Sequence, residues 1–144
     1  MRKIILIVSY VLTVSCIIYS CQNAAEMELT TYVTNGSDIY KAKCQNCHGE
    51  KGNGLGDLYP PLTDTTFLKQ HRAELACILK NGSNKPMVIH GKTYDGKMPA
   101  FPELEDIDIA QLIVYITNSF GNKQGMYSYE QVSKDLKSCG TPVH

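Results

Sequence analysis

Five consecutive residues, Cys44-Gln45-Asn46-Cys47-His48, constrain this chain more than any other feature. Two thiols three positions apart on one helical turn can each form a thioether bond with the same porphyrin. A histidine directly after the second thiol can then ligate the iron. The pattern C-x-x-C-H is the attachment signature of a c-type haem. The sequence therefore predicts one covalently bound haem c, with Cys44 and Cys47 as attachment residues and His48 as an axial ligand.

Two other kinds of site also use a C-x-x-C pair. A structural zinc site needs a second pair of ligands, but the other histidines form no H-x(3–5)-H pair. A thioredoxin-type redox site needs a strand before the pair and a βαβ context, whereas the residues before Cys44 predict a helix. The remaining cysteines are isolated: Cys16, Cys21, Cys77 and Cys139. These observations favour the haem over both alternatives.

Residues 1–20 have the layout of a secretory signal peptide. Two basic residues precede an almost continuous apolar run over residues 4–14, and no acidic residue occurs before Glu26. The alternative is a membrane-spanning helix that is retained as an anchor. The apolar run is shorter than the ~20 residues a span needs, and three hydroxyl residues interrupt it. We therefore expect export and cleavage.

The end of this segment resembles a bacterial lipoprotein signal. Ile18-Tyr19-Ser20-Cys21 has an apolar residue three positions before the cysteine and a small residue directly before it, although Tyr19 is bulkier than usual. Cys16 is the alternative, but a threonine occupies its apolar position. We expect cleavage after Ser20 and lipidation of Cys21, because several acyl chains on one residue hold a protein stably on a membrane. The predicted location is the cell envelope, membrane-anchored and facing the periplasm.

Charge excludes one class of partner. The chain carries 14 Lys+Arg and 14 Asp+Glu. Removal of residues 1–20 takes away two basic residues and no acidic one, which leaves 12 against 14. Without a basic patch, nucleic acid is not expected as a partner.

Residues 21–35 are polar and predict a tether, residues 36–121 predict one domain, and residues 122–144 predict a C-terminal extension packed on it.

Hydrophobic periodicity and cap residues predict four helices and one hairpin. The first helix should begin at Ser37, a good N-cap, and end at the haem attachment motif. The last should begin with Asp106 as its N-cap and present a broad apolar face. This last core helix should span residues 106–118. The other predicted elements are a middle helix over 72–80 capped by Asn81-Gly82, a hairpin over 87–94 around His90-Gly91, and a tail helix over 129–138.

The chain resembles a class I cytochrome c over about residues 36–118. Gly36-x-x-x-Tyr40 matches the family's Gly-x-x-x-aromatic pattern before the haem motif, and Leu112-x-x-Tyr115 matches the Leu-x-x-aromatic pattern of its C-terminal helix. In that family the first and last helices cross here, where a glycine permits close approach and aromatic rings fill the wedge. The resemblance implies a small all-α fold of about 3–5 helices around one covalent haem, with a short hairpin insertion.

Glycines at positions 49–56, followed by Tyr59-Pro60-Pro61-Leu62, are similar to the CHG-x-x-G-x-G…PPL run of bacterial relatives. The resemblance implies that a proline carbonyl accepts the N–H of the axial histidine's second nitrogen, which orients the ring and raises its basicity. The spacing to Leu62 assigns that carbonyl to Pro60, with Pro61 as the alternative. Leu62 and Phe101 are expected to contact the haem.

The second axial ligand is predicted to be Met98. It lies 50 residues after His48 and is followed by Pro99, as is the distal methionine of the family. Ligation by histidine and methionine raises the reduction potential, because the soft thioether favours ferrous iron. Pro99 and Pro102 would stiffen the loop and limit its reorganisation when the iron changes charge.

Three other residues compete with Met98 as ligand. Met87 precedes a predicted strand and is expected to be an apolar filler. Met126 lies beyond the last core helix. His90 is the strongest rival, because bis-histidine haems exist and His90 lies in the adjacent hairpin.

Cys77 and Cys139 remain after the haem and lipid assignments. Disulfides persist in exported proteins, so a Cys77–Cys139 bridge is expected to pin the tail to the domain. The alternative is two free thiols, with Cys77 buried and Cys139 exposed.

The predicted function is electron transfer and not catalysis. A haem with two protein ligands has no open position for a substrate, so it can pass only single electrons, here between membrane-associated respiratory partners that the sequence does not identify. One alternative is a haem subunit of a larger oxidase or dehydrogenase complex. Another is a peroxidase or gas-binding protein with a labile Met98 and with His90 as the distal acid–base group.

Overall fold

The computed structural model describes residues 2–140, apart from the side chains of residues 18–23. The chain divides into two compact units, with the boundary between Thr31 and Tyr32. The elements are α1 (Arg2–Lys43), α2 (Gln45–His48), α3 (Thr65–Gln70), α4 (Arg72–Asn81), β1 (Met87–Ile89), β2 (Lys92–Tyr94), α5 (Asp106–Asn118) and α6 (Tyr129–Lys137). The all-α class is confirmed. The described residues contain six helices, more than the predicted three to five, because α2 and α3 are too short to have a detectable period.

The start of the first helix was predicted wrongly. Helix α1 does not begin at Ser37 but runs from Arg2 to Lys43, so residues 24–35 are helical where the sequence predicted an aperiodic tether. No proline occurs before Pro60, so no residue interrupts the helix upstream of Ser37. A good N-cap residue does not by itself make a helix begin at its position. The proposed lipidation residue, Cys21, lies outside the described side chains. Among the described helices, none combines the length and apolarity needed to cross a bilayer.

Helix α5 has the bounds that its periodicity predicts, Asp106–Asn118, but not the predicted cap. The N-cap is Glu105 and not Asp106, because Glu105 and Asp108 form a capping box in which each side chain accepts the other's backbone N–H. Most of the helix is buried, including Ile109, which has no exposed surface. Helix α5 is therefore the central element of the core.

The end of α1 crosses α5 at the glycine that the family pattern indicates. A Cβ atom at Gly36 would lie 2.1 Å from the Gln111 carbonyl oxygen and 2.7 Å from the Tyr115 Cβ. Tyr40, one turn later, is 1% exposed, and its ring centroid lies 5.3 Å from that of Tyr115 and 5.2 Å from that of Phe120. Phe120 thus joins the predicted aromatic pair as a third ring of this contact.

The middle of the chain forms one more helix than predicted and the expected hairpin. Helix α4 ends with Gly82 as its C-cap. Strands β1 and β2 pair antiparallel, with Met87 opposite Tyr94. His90 and Gly91 both have positive φ, 51° and 72°, as the two central residues of a type I′ hairpin turn require.

Helix α6 packs on the domain through a short amphipathic face. Its N-cap, Ser128, forms a capping box with Gln131, and Val132 is completely buried. The Ser133 hydroxyl donates to the Asp106 carboxylate at the start of α5. Cys77 on α4 and Cys139 just after α6 form a disulfide across 62 residues of chain.

Replacing Cys77 and Cys139 together with serine is expected to lower the free energy of unfolding by about 4 kcal/mol. A crosslink that closes a loop of this length removes roughly that much chain entropy from the unfolded state. Guanidinium unfolding of the two proteins measures the difference. A thiol reductant should reproduce the loss in the wild type and leave the double variant unchanged. Equal unfolding midpoints for wild type and variant would contradict the prediction.

Candidate haem site

His48 ends the single turn of α2 and has one ring nitrogen fixed by a backbone acceptor. Its Nδ1 lies 2.9 Å from the carbonyl oxygen of Pro60. A carbonyl can only accept, so Nδ1 carries the proton and Nε2 keeps its lone pair. Burial lowers the pKa of His48, while the bond to Pro60 acts in the opposite direction. The side chain is therefore a neutral imidazole with Nε2 available to a metal.

The loop between α2 and Pro60 folds back on itself to make this bond possible. The Gly54 N–H donates to the His48 carbonyl at 2.8 Å, and the Leu62 N–H donates to the Gly52 carbonyl at 2.7 Å. A Cβ atom at Gly54 would lie 2.3 Å from the Tyr59 carbonyl oxygen. The glycine spacing therefore serves close backbone packing and brings the Pro60 carbonyl to the His48 Nδ1.

Two adjoining hollows lie beside His48. Cys44, His48, Met87 and Met98 line both of them. The rest of the first lining is mainly aliphatic and aromatic, including Leu62 and residues of α4 and α5: Leu75, Ile78, Leu79, Leu112 and Ile116. An apolar lining with a few ligating groups is typical of a cofactor site.

The predicted haem residues meet at these hollows. Pro60 lines both, Leu62 lines the first and Phe101 the second. Cys47 lines the second hollow, and neither Cys44 nor Cys47 forms a disulfide. Burial, and secondarily the nearby Cys47, raises the pKa of the Cys44 thiol to about 11.

The competitors of Met98 have different positions. Met87, from the start of β1, lines both hollows as Met98 does, so it is a nearer rival than the sequence suggested. Neither His90 nor Met126 is among the described residues that line the two hollows. The His90 side chain is 61% exposed, and its Nε2 lies 3.6 Å from the Asp64 carboxylate.

Asp64 joins the hairpin to helix α3. One carboxylate oxygen accepts the Phe67 N–H at 3.0 Å, which caps α3, and the other faces His90. The Phe67 bond, and to a lesser extent His90, lowers the pKa of Asp64. The carboxylate therefore stays ionised at neutral pH and lies between the start of α3 and the hairpin turn. The only sequence signal for this role was an acidic residue before Thr65-Thr66, which is typical of an N-cap.

Asn122 is a second structural residue that sequence reasoning missed. It is 1% exposed. Its amide donates to the carbonyls of Leu62 and Ile116, each at 2.9 Å, and its Oδ1 accepts from the Thr65 hydroxyl at 2.7 Å. A single buried side chain thus links α5 to the segment that follows Pro60.

The residues present fit a covalently attached haem. One apolar space is bordered by two thiols outside any disulfide, an imidazole with a free Nε2 and a thioether. These groups are the donor set of a c-type site. In such a site Cys44 and Cys47 would attach the porphyrin, and His48 and Met98 would ligate the iron. Apolar walls would exclude water from the ligands.

Comparisons with known proteins point the same way. The family described as "Cytochrome C oxidase, cbb3-type, subunit III" matches residues 32–116. The chain is 27% identical over 100 residues to cytochrome c-552 of Thermus thermophilus, with 67% of this chain and 76% of the relative covered. It is 31% identical over 121 residues to the fructose dehydrogenase cytochrome subunit of Gluconobacter japonicus, and 28% identical over 111 residues to the cytochrome c subunit of the quinone alcohol dehydrogenase of Gluconacetobacter polyoxogenes. These two alignments cover 78% and 75% of this chain but only 24% and 23% of the relatives.

Proposed function

Because the chain belongs to the family of cbb3-type cytochrome c oxidase subunit III, and this family carries covalently bound haem c, we propose that it transfers single electrons through a haem ligated by His48 and Met98. Bound haem supplies a one-electron iron couple. The single observation that carries the proposal is that both side chains line the same apolar space, with His48 Nδ1 committed to Pro60. With both axial positions taken by the protein, no position remains for a substrate.

The protein's own residues would perform three tasks in this transfer. Pro60 fixes the orientation and the tautomer of the His48 ring and would leave Nε2 free to ligate the iron. Met98 supplies the soft ligand that raises the potential. The apolar walls keep water away, so little solvent reorganises when one electron arrives or leaves.

A second candidate is a haem subunit of a larger dehydrogenase or oxidase. It is favoured by the likeness to two dehydrogenase cytochrome subunits, in which the matched region is about a quarter of the relative. Co-purification from the native membrane separates the candidates. A carrier should be released as a single haem protein by detergent, whereas a subunit should remain in a stoichiometric complex with its partners.

We also propose that the chain is exported and anchored through Cys21 to a membrane, with its redox donor and acceptor nearby. The apolar run over residues 4–14 and the small residue before Cys21 support this location. An anchor would raise the effective concentration of partners on the same membrane. Mass spectrometry of the membrane-bound protein should find an acylated N-terminal Cys21, and a chain that keeps residues 1–20 would overturn the assignment.

Carbon monoxide binding tests the proposed ligation. The reduced protein at neutral pH should bind the gas slowly or not at all, because Met98 must leave the iron first. Rapid and complete binding would favour the gas-binding or peroxidase alternative. That alternative also requires a distal acid–base group, and the exposed position of His90 beside Asp64 gives it little support.

A further inference from the structure

The segment that carries Met98 lies against the C-terminal end of α4. The Ser83 N–H donates to the Met98 carbonyl at 3.0 Å, and the Met98 N–H donates to the Ser83 carbonyl at 2.8 Å. The Phe101 N–H donates to the Leu79 carbonyl at 3.1 Å. The last of these bonds satisfies a carbonyl of the final helical turn, which has no partner within the helix. The position of Met98 is therefore tied to the end of α4.

Gly82 makes this contact as close as backbone atoms allow. Its φ and ψ are 73° and −178°, a combination that is essentially restricted to glycine. A Cβ atom there would lie 2.6 Å from the Met98 carbonyl oxygen and 2.9 Å from the Ala100 nitrogen. Any side chain at this position would push the methionine segment away from the helix.

Lys80 closes the far end of the same segment. Its Nζ donates to the Leu104 carbonyl at 2.6 Å and to the Pro102 carbonyl at 3.0 Å. Residues 98–104 are thus held to α4 at both ends, by the Ser83 pairing at Met98 and by the ammonium group at Pro102 and Leu104. Hydrogen bonds from an ammonium are stronger than those between neutral groups.

We propose that Lys80 is a positioning residue for the axial methionine, and that its two bonds keep the segment 98–104 closed so that the Met98 sulfur stays on the iron. The proposal rests on the ligation by His48 and Met98 proposed above. If the ammonium is lost, the segment opens more often, and each opening exposes the sixth position of the iron. Lys80 does not line either hollow. It would nevertheless control how often the iron becomes accessible.

The test compares the rate of carbon monoxide binding to the reduced holoprotein in the wild type and four variants. Lys80→Met should bind the gas at least tenfold faster than wild type and show a weaker near-infrared sulfur–iron band. Lys80→Arg keeps a charged donor with several N–H groups and should restore both properties. Lys80→Gln, which lacks the charge, should behave like Lys80→Met and gives a second reading should that variant fail to fold. Lys92→Met is the control, because Lys92 also donates to a loop carbonyl, that of Gly56, and should bind carbon monoxide at the wild-type rate.

The outcomes separate this proposal from the one on which it rests. A wild type with the sulfur–iron band, together with unchanged rates in Lys80→Met and Lys80→Gln, would overturn the positioning role alone. An equal acceleration in Lys92→Met, or failure of Lys80→Arg to restore the rate, would also overturn it. If the wild type has no sulfur–iron band, the ligation by Met98 itself is wrong.

Discussion

Replacing Met98 with alanine is expected to lower the reduction potential of the bound haem by hundreds of millivolts. Axial ligands set haem potentials over a range of roughly 0.8 V, and the thioether is the ligand that favours ferrous iron. The near-infrared sulfur–iron band should vanish in the same variant, and the reduced protein should bind carbon monoxide readily. Redox titration and absorption spectroscopy of the oxidised protein measure these effects.

Met87→Ala is the matched control for this experiment. Met87 lines the same two hollows and loses the same number of atoms on substitution. Met98 is paired with Ser83 and is followed by Pro99, as the family's distal methionine is, whereas Met87 lies in strand β1 opposite Tyr94. We therefore expect Met87→Ala to keep the band and a potential near that of the wild type. Loss of the band in Met87→Ala and its retention in Met98→Ala would reverse the assignment.

The two proposed axial ligands are supported in different ways. His48 depends on one carbonyl, that of Pro60, which fixes the ring through Nδ1. Met98 has a flexible thioether with no polar atom to fix, so its position must come from its backbone. The paired bonds to Ser83 and the close approach of Gly82 supply that constraint. Each ligand is therefore held by the kind of contact that its own chemistry permits.

Two kinds of element could be predicted from the sequence: those whose apolar pattern repeats over several turns, and those that contain a specific turn. Helix α5 has the predicted bounds because its apolar face repeats over three turns. The hairpin at His90-Gly91 was predictable because its turn requires positive φ at both residues. The chemistry of C-x-x-C-H likewise depends on spacing within one turn, so the haem could be inferred without the fold.

Other features depend on contacts between distant parts of the chain. Gly36 lies inside α1, where the absence of a side chain lets α5 approach closely. Lys80 reads as an ordinary cation at a helix C-terminus, and its acceptors lie 22 and 24 residues away. The Gly36 contact was expected only through the family's Gly-x-x-x-aromatic pattern. Local sequence carries no signal for the Lys80 contact, because its acceptors come close only after the chain has folded.

Replacing Gly36 with alanine is expected to lower the free energy of unfolding by about 1–2 kcal/mol, although alanine is the better helix former. Inside a helix the exchange gains up to ~1 kcal/mol. Against this gain, the new methyl group would lie 2.1 Å from the Gln111 carbonyl oxygen and 2.7 Å from the Tyr115 Cβ. Both belong to α5, which is buried and cannot shift without disturbing the core, and overpacking of this kind costs ~1–3 kcal/mol or more. The clash therefore outweighs the gain in helix propensity.

Asn35→Ala is the control, because Asn35 is exposed on the same turn of α1. This substitution gains helix propensity without meeting α5, so its stability should equal or slightly exceed that of the wild type. Denaturant unfolding of the three holoproteins gives the comparison. A Gly36→Ala protein as stable as Asn35→Ala would mean that α1 and α5 do not approach each other closely at Gly36. The aromatic contact of Tyr40 with Tyr115, one turn further along, would then need another explanation, since it depends on the same crossing.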